Sequence, residues 1–189
     1  MKFLELFEPV VKGDFGLTDE AIYKSIQHGG EFVPIWGGNK EHRTIDRLVS
    51  IFGKTKSNKP ITIFVGEGII LSLDGSSGCM TYKPAGQKFA LNHHAGFLKI
   101  KNDAQQKIDL EFFSIFYQKQ LQELSISEGS KTLTLEQLYD ADFEIPDYDS
   151  QKEIMKKIKP LIELKIKFDD QINQKIDDLF EKRIVSNQS

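Results

Sequence analysis

The chain has 189 residues, of which 39% are hydrophobic and 28% charged, and this composition is typical of one folded domain, or of one domain with an appendage. Its fourteen Phe exclude a disordered chain, and its single cysteine, Cys79, excludes a disulfide framework or a multi-cysteine zinc site. Acidic residues within the N-terminal apolar stretch exclude a secretory signal, and no apolar run approaches the roughly 20 residues that span a bilayer, so we expect a cytoplasmic protein. A formal net charge of −3 argues mildly against nucleic acid as a partner.

The first predicted elements are a capped helix and an extended segment. Thr18 precedes two acidic residues and then an apolar run, which is the pattern of a helix start, and Gly29-Gly30 ends that helix. Pro34 biases the residue before it away from helix, so residues 32–36 should be extended. Apolar residues over 43–52 recur at helical spacing and predict a second short helix.

Residues 61–100 predict a series of short strands. Runs of β-branched and apolar residues alternate there with turns of glycine, serine and other small residues. The runs that carry this pattern are 61–65, 69–73, 79–82, 89–91 and 96–100. We therefore expect an α+β fold with a small, mixed, barrel-like sheet.

Beyond residue 103 the apolar period becomes helical. It predicts helices over 110–124 and 133–139, and a long one from 150 to about 183. The long helix would reach roughly 50 Å, more than a small domain covers, so part of its apolar stripe should meet another chain. Pro160 either kinks this helix or begins a new one. The residues assigned to dimerisation or partner docking are Ile154, Ile158, Leu161, Ile162, Phe168, Ile172, Ile176, Leu179 and Phe180.

The net charge conceals a segregation along the chain. Residues 36–102 hold ten Lys and Arg against four Asp and Glu, whereas residues 103–150 hold three against eleven. Such asymmetry points to a surface that faces a polyanion, although a solvated face with no partner would also produce it.

Most catalytic chemistries are absent from the sequence. There is no Pro-Pro of a methyltransferase motif and no phosphate-binding loop. Asp147 and Glu163 loosely match a nuclease pattern, but Glu163 lies on the predicted long helix. His93 and His94 would point to opposite faces of a strand, which favours one packed and one solvated ring over a metal site, although hydrogen bonding to a base or phosphate is open. We expect no catalytic residue, metal or cofactor.

Several short motifs, in order, resemble a target recognition domain of a type I restriction-modification specificity subunit. The segment 33–39, VPIWGGN, resembles the extended segment of that family, and 66–72 with 75–78 resembles its strand and glycine turn. Gly129-Ser130 before Leu133, and Ile145-Pro146 before Gln151, resemble the junction into its long helix. The resemblance covers about residues 30–184. The chain departs from the pattern at 147–148 and at Pro160, and it has one recognition domain and one helix where the family's subunit has two of each.

The resemblance implies a sequence-specific DNA-binding domain over 1–149 and a helix over 150–189 for dimerisation and docking. It implies double-stranded DNA, methyltransferase subunits and restriction subunits as partners, with cleavage and methylation carried out by those subunits. Two chains could pair through the helix and read an interrupted, symmetric site. An alternative is an interaction protein of the same fold that does not bind DNA and instead docks on or masks a nuclease or methyltransferase.

On this interpretation, basic and polar residues of the strand-rich segment contact DNA. Lys54, Lys56 and Lys59 should contact phosphates, and Arg43 or Arg47 should contact phosphates or guanine. Trp36 and Tyr82 suit core packing and a sugar-phosphate contact about equally. The full predicted set is Trp36, Lys40, Arg43, Arg47, Lys54, Lys56, Lys59, Ser76, Ser77, Tyr82, Lys83, Lys88, Asn92, His93 and His94.

Overall fold

The computed structural model describes residues 1–38, 47–126 and 132–186, with side chains as far as residue 176. The chain divides into two compact units, Met1–Tyr148 and Asp149–Ser189. The described elements, in chain order, are α1 (Phe3–Leu6), β1 (Val11–Lys12), α2 (Asp19–Ile26), β2 (Phe32–Trp36), β3 (Leu48–Ser50), β4 (Ile63–Val65), β5 (Gly68–Ser72), β6 (Met80–Lys83), β7 (Lys88–Leu91), β8 (Ala95–Leu98), a 3₁₀ turn (Asn102–Ala104), α3 (Leu110–Phe116), α4 (Gln118–Ile126), α5 (Leu135–Asp140) and α6 (Tyr148–Ser186).

The strands form two four-stranded sheets. One has the order β1-β8-β5-β6 and is antiparallel throughout, with Ile70 opposite Phe97 on one side and Thr81 on the other. The other has the order β3-β2-β7-β4, in which β2 and β7 run parallel and the other neighbours antiparallel. The α+β class with a mixed sheet is confirmed, but the described strands do not close into a barrel.

Both faces of strand β5 are buried, because the strand lies between two core clusters. Ile69 and Leu71 pack into the largest core cluster, which also receives Phe3, Phe7 and Phe113 from α1, the segment after it and α3. Ile70, on the opposite face, packs with aromatic residues of the second sheet. Side chains alternate across a strand, so one strand supplies two cores. The second of these cores consists of Trp36, Phe64, Ile70, Phe89, Leu91, Ala95 and Phe97.

The helix that begins at Thr18 is confirmed. The Thr18 hydroxyl accepts a hydrogen bond from the Ala21 N–H at 3.3 Å, and Gly29 and Gly30 after it take φ of 65° and 85°, which favour glycine. The helix expected over 43–52 is wrong for its described part. Residues 48–50 form strand β3, because Val49 is buried opposite Val33 of β2 and the pairing outweighs the local apolar spacing. Residues 43–46 lie outside the described residues.

Two further helix predictions are corrected in detail. The helix over 110–124 is divided into α3 and α4 at Tyr117, whose φ of −102° and ψ of 0° end α3. The long helix is continuous through Pro160, so a new helix does not begin there. Its 39 residues, at 1.5 Å each, are about 58 Å long.

Candidate nucleic-acid interface

Three loops meet at one place in the first unit, and we call this place the loop junction (residues 37–38, 74–76 and 92–94). The Ser76 N–H donates to the Gly38 carbonyl at 3.1 Å, the Asn92 N–H to the Trp36 carbonyl at 3.0 Å, and the Asp74 N–H to the His94 carbonyl at 3.3 Å. A Cβ at Gly38 would lie 2.2 Å from the Asp74 carbonyl oxygen, so the loops approach too closely for any side chain there. The glycines of the 33–39 motif therefore permit this contact.

The histidines of the loop junction lie in a turn, not in a strand. Their rings consequently lie side by side, with centroids 3.8 Å apart and ring planes tilted by 41°, which corrects the expectation that they point to opposite faces. His94 Nδ1 donates to Asp74 Oδ2 at 3.2 Å, and the Asn92 side-chain oxygen accepts from the His94 N–H at 3.0 Å. Burial and the neighbouring His94 lower the pKa of His93, and Asp74 opposes them only in part. The His93 ring is therefore neutral at pH 7.

The predicted lysines at 54–59 share a single tight turn, which we call the basic turn. The Thr55 N–H donates to the Lys59 carbonyl at 2.8 Å, and Asn58 takes the left-handed conformation with φ of 61°. The side chains of Lys54, Lys56 and Lys59 are exposed, and no ion pair joins them to another described residue. The basic turn therefore presents three cations to solvent.

The basic turn also borders an open cleft of about 350 Å³ against α2. Glu20 and Lys24 line the same cleft and pair with each other at 2.6 Å. Lys24 lowers the pKa of Glu20, so its carboxylate is charged at neutral pH beside Lys56.

The other described cations of the predicted set already have partners. Arg47 forms an ion pair with Asp19, and Lys88 forms one with Glu31 at 2.5 Å. Lys83 is buried with its ammonium 4.2 Å from the centre of the Trp36 ring, and burial lowers its pKa. Lys40 and Arg43 lie outside the described residues.

Three predicted residues face the interior or the opposite side of the sheet. Trp36 is only 5% exposed and belongs to the core between the sheets. Ser77 is buried and its hydroxyl donates to the Leu73 carbonyl at 3.0 Å. Tyr82 packs against the helix-facing core and donates to Glu67 at 2.5 Å, and burial together with Glu67, Glu111 and Asp109 raises its pKa. These acidic neighbours do not favour phosphate beside Tyr82.

Phe15 is a candidate that the sequence patterns do not predict. Its side chain is 77% exposed, and its ring lies 4.7 Å from that of His93. The one signal in the sequence is an aromatic residue between Asp14 and Gly16, two residue types that are common in turns.

Helix α6 has a partly exposed apolar stripe. Leu161, Phe168, Ile172 and Ile176 are exposed, whereas Ile154, Ile158 and Ile162 are half-buried. Leu179 and Phe180 lie outside the described side chains. Charged residues on the same helix pair at four-residue spacing, as Lys165 does with Asp169 at 3.6 Å.

Neither a membrane-spanning helix nor a metal-binding cluster occurs in the described part of the chain. None of its helices is long and apolar enough to cross a membrane. Within the same residues, no three His, Cys, Asp or Glu side chains are grouped so that they could hold a metal ion.

Comparison with protein families gives a match over most of the chain. The model described as "Type I restriction modification DNA specificity domain" matches residues 13–178. No curated protein matches the chain.

Solved structures with the same fold include three from type I systems. A chain from a study of complex assembly and conformational transition of the type I R-M system has a TM-score of 0.59 at 13% identity. The HsdS subunit from Thermoanaerobacter tengcongensis gives 0.55 at 10%, and the S subunit from M. genitalium gives 0.55 at 15%. They cover 87%, 87% and 86% of this chain, which spans 38%, 37% and 38% of theirs. The match therefore spans less than two fifths of the length of each of these chains.

Proposed function

The chain belongs to the type I restriction-modification DNA specificity family, and on that premise we propose that its first unit reads a double-stranded DNA sequence for a type I restriction-modification system. The family supplies specificity and not catalysis. The observation that carries the proposal is the basic turn, which holds three exposed cations and is connected to Asn92 of the loop junction through residues 14–16. The family match lends no support to an interaction protein that does not bind DNA.

The proposed contacts divide into two kinds. Lys54, Lys56 and Lys59 bind phosphates and set the register of the protein on the duplex. Ser76, Asn92 and His94 of the loop junction are half-buried, carry donors and acceptors, and contact base edges in the major groove. Trp36, Ser77 and Lys83 support this surface from within, and Tyr82 is left out of it. Arg47 and Lys88 contribute to DNA binding only where a phosphate replaces their carboxylate partners.

The remaining parts of the chain are proposed to assemble the complex. Helix α6 pairs through its exposed apolar stripe with the same helix of a second copy, which places two reading units on one interrupted, symmetric site. The acidic residues of 103–150 then face methyltransferase and restriction subunits, which perform the chemistry in the cytoplasm. A chain with a net charge of −3 can bind DNA in this way because phosphate contacts depend on local cations.

Selection from a random double-stranded DNA library tests the proposal. The purified full chain, alone and with the modification subunit that co-purifies with it, is used to enrich binding sequences. Enrichment of one motif that competes against random duplex at physiological salt supports the proposal. If neither sample enriches a sequence above the random library, the proposed function is wrong.

A further inference from the structure

The backbone around Phe15 is fixed although its side chain lies in solvent. The Asp14 N–H donates to the Leu91 carbonyl at 2.8 Å, and the Asp14 carboxylate accepts from the Thr62 N–H at 2.6 Å and the Thr62 hydroxyl at 3.0 Å. On the other side, the Gly16 carbonyl accepts from the Lys56 N–H at 2.9 Å. The phenyl ring is thus displayed from a well-anchored segment.

Those hydrogen bonds also give Phe15 a defined position between two parts of the proposed surface. Gly16 joins it to the basic turn, and Asp14 forms a parallel bridge with Asn92 of the loop junction. Phe15 therefore lies between the groups proposed to bind phosphates and those proposed to contact bases.

The Phe15 ring lies against the His93 ring, and the His93 ring lies against that of His94. Phe15 lies 4.7 Å from His93, which in turn lies 3.8 Å from His94. The Nδ1 atom of His93 is buried and has no hydrogen-bond partner among the described residues. The Phe15 and His93 ring planes are inclined by 58°, and the lowered pKa of His93 favours the uncharged ring beside Phe15.

Single exposed apolar side chains are common and require no explanation by themselves. This one is set apart by its anchored backbone, its aromatic support and the cations beside it. A phenyl ring offers nothing to a phosphate. Once lysines of the basic turn hold the backbone of the duplex, a ring at this position can meet only the bases or the sugars.

We propose that Phe15 determines specificity by packing against the C5-methyl group of a thymine in the major groove. This methyl is the apolar group that a base pair presents there, and aromatic contact with it distinguishes thymine from cytosine. The inference rests on the proposed function, because it assigns one base preference within the sequence that the first unit reads.

The test repeats the library selection with Phe15→Ala and with Phe116→Ala, a control that truncates a half-exposed Phe of α3. Phe15→Ala should lose a thymine preference at one position of the motif and bind the wild-type motif about ten-fold more weakly, the size of a typical mismatch. Its affinity for random duplex and the salt dependence of that affinity should not change. Phe116→Ala should enrich the wild-type motif.

Replacement of that thymine by deoxyuridine removes only the methyl group. Wild-type binding should then weaken about four-fold, as expected for one buried methyl, whereas Phe15→Ala should bind both duplexes equally. If Phe15→Ala enriches the unchanged motif, or if it and the wild type respond alike to deoxyuridine, the inference is wrong while the proposed function stands. If the wild-type chain enriches no motif, the proposed function itself is wrong.

Discussion

Neutralising the basic turn should weaken DNA binding and flatten its dependence on salt. The change is the triple replacement of Lys54, Lys56 and Lys59 by Gln. The three side chains are exposed and form no ion pair within the described residues, so their loss should alter the free energy of unfolding by no more than about 0.5 kcal/mol. Any larger effect on DNA binding then comes from lost phosphate contacts.

The magnitude follows from counterion release. Each phosphate contact contributes about 0.9 to the slope of log Kobs against log salt concentration, so three contacts contribute about 2.7. When salt rises from 50 to 200 mM, the wild type should therefore lose about 40-fold more DNA affinity than the triple variant. The triple variant should therefore be weaker at low salt and should lose much less affinity as salt rises.

Fluorescence anisotropy with a labelled duplex measures both slopes. A matched control replaces three exposed lysines of α6, Lys156, Lys157 and Lys167, and changes the net charge by the same amount. The control should keep the wild-type slope, because α6 is assigned to pairing and not to DNA. Equal slopes for the basic-turn variant and the wild type would refute the phosphate contacts. Equal loss in both variants would show that only total charge matters.

Other consequences of the structure can be measured separately. An NMR titration of His93 should give a midpoint below the ordinary pKa of 6.5, and Asp74→Asn should lower that pKa further because the Asp74 carboxylate raises it. Because folding disfavours the protonated His93 ring, this residue should reduce the stability of the protein as pH falls below 6.5. Gly38→Ala should reduce the free energy of unfolding by about 1–3 kcal/mol in a denaturant titration, and should also weaken DNA binding, because its Cβ would lie 2.2 Å from a carbonyl oxygen. Phe113→Ala should cost about 3–5 kcal/mol in the same titration, because its ring packs edge-on against two other aromatic rings of the main core. Ile172→Asp should convert the proposed dimer to a monomer in light scattering, since this side chain is 56% exposed on α6 and should be covered in a helix pair; an unchanged mass would contradict that pairing.

The parts of the fold that the sequence predicted are those decided by local chemistry. The Thr18 cap, the glycine turn at 74–78 and the short strands follow from side chains within a few residues of one another. The local pattern does not predict strand β3, because its conformation depends on pairing with β2 and because short apolar spacing is compatible with either a helix or a strand. The division of α3 from α4 depends likewise on the conformation of a single residue, Tyr117.

The candidate site was predictable in its charges but not in its geometry. The basic turn is contiguous in sequence, so its lysines could be assigned together. The meeting of residues 38, 76 and 94, and the exposure of Phe15, arise from contacts between segments tens of residues apart. The contact between His93 and His94 differs from the prediction for a local reason, because the pair lies in a turn and not in a strand.

Charge counted along the sequence and charge left after folding lead to different surfaces. The described cations of 36–102 outside the basic turn are largely matched by the acidic N-terminal segment. Arg47 pairs with Asp19, Lys88 with Glu31, and Lys99 with Glu8. Each exposed pair contributes at most about 1 kcal/mol to stability, so DNA could displace these carboxylates, but only at that cost.

The basic turn bears no such cost. Its lysines are available to phosphate without breaking any ion pair that the described structure contains. Among the described residues of 36–102, this turn is therefore where exposed cations without a carboxylate partner are concentrated. That turn is joined by the Lys56–Gly16 hydrogen bond to the segment that displays Phe15. The lysines that attract DNA and the proposed base-reading residue Phe15 should consequently lie within a few residues of each other. Even so, the triple lysine variant should lose affinity in a salt-dependent way, whereas Phe15→Ala should lose affinity in a sequence-dependent way.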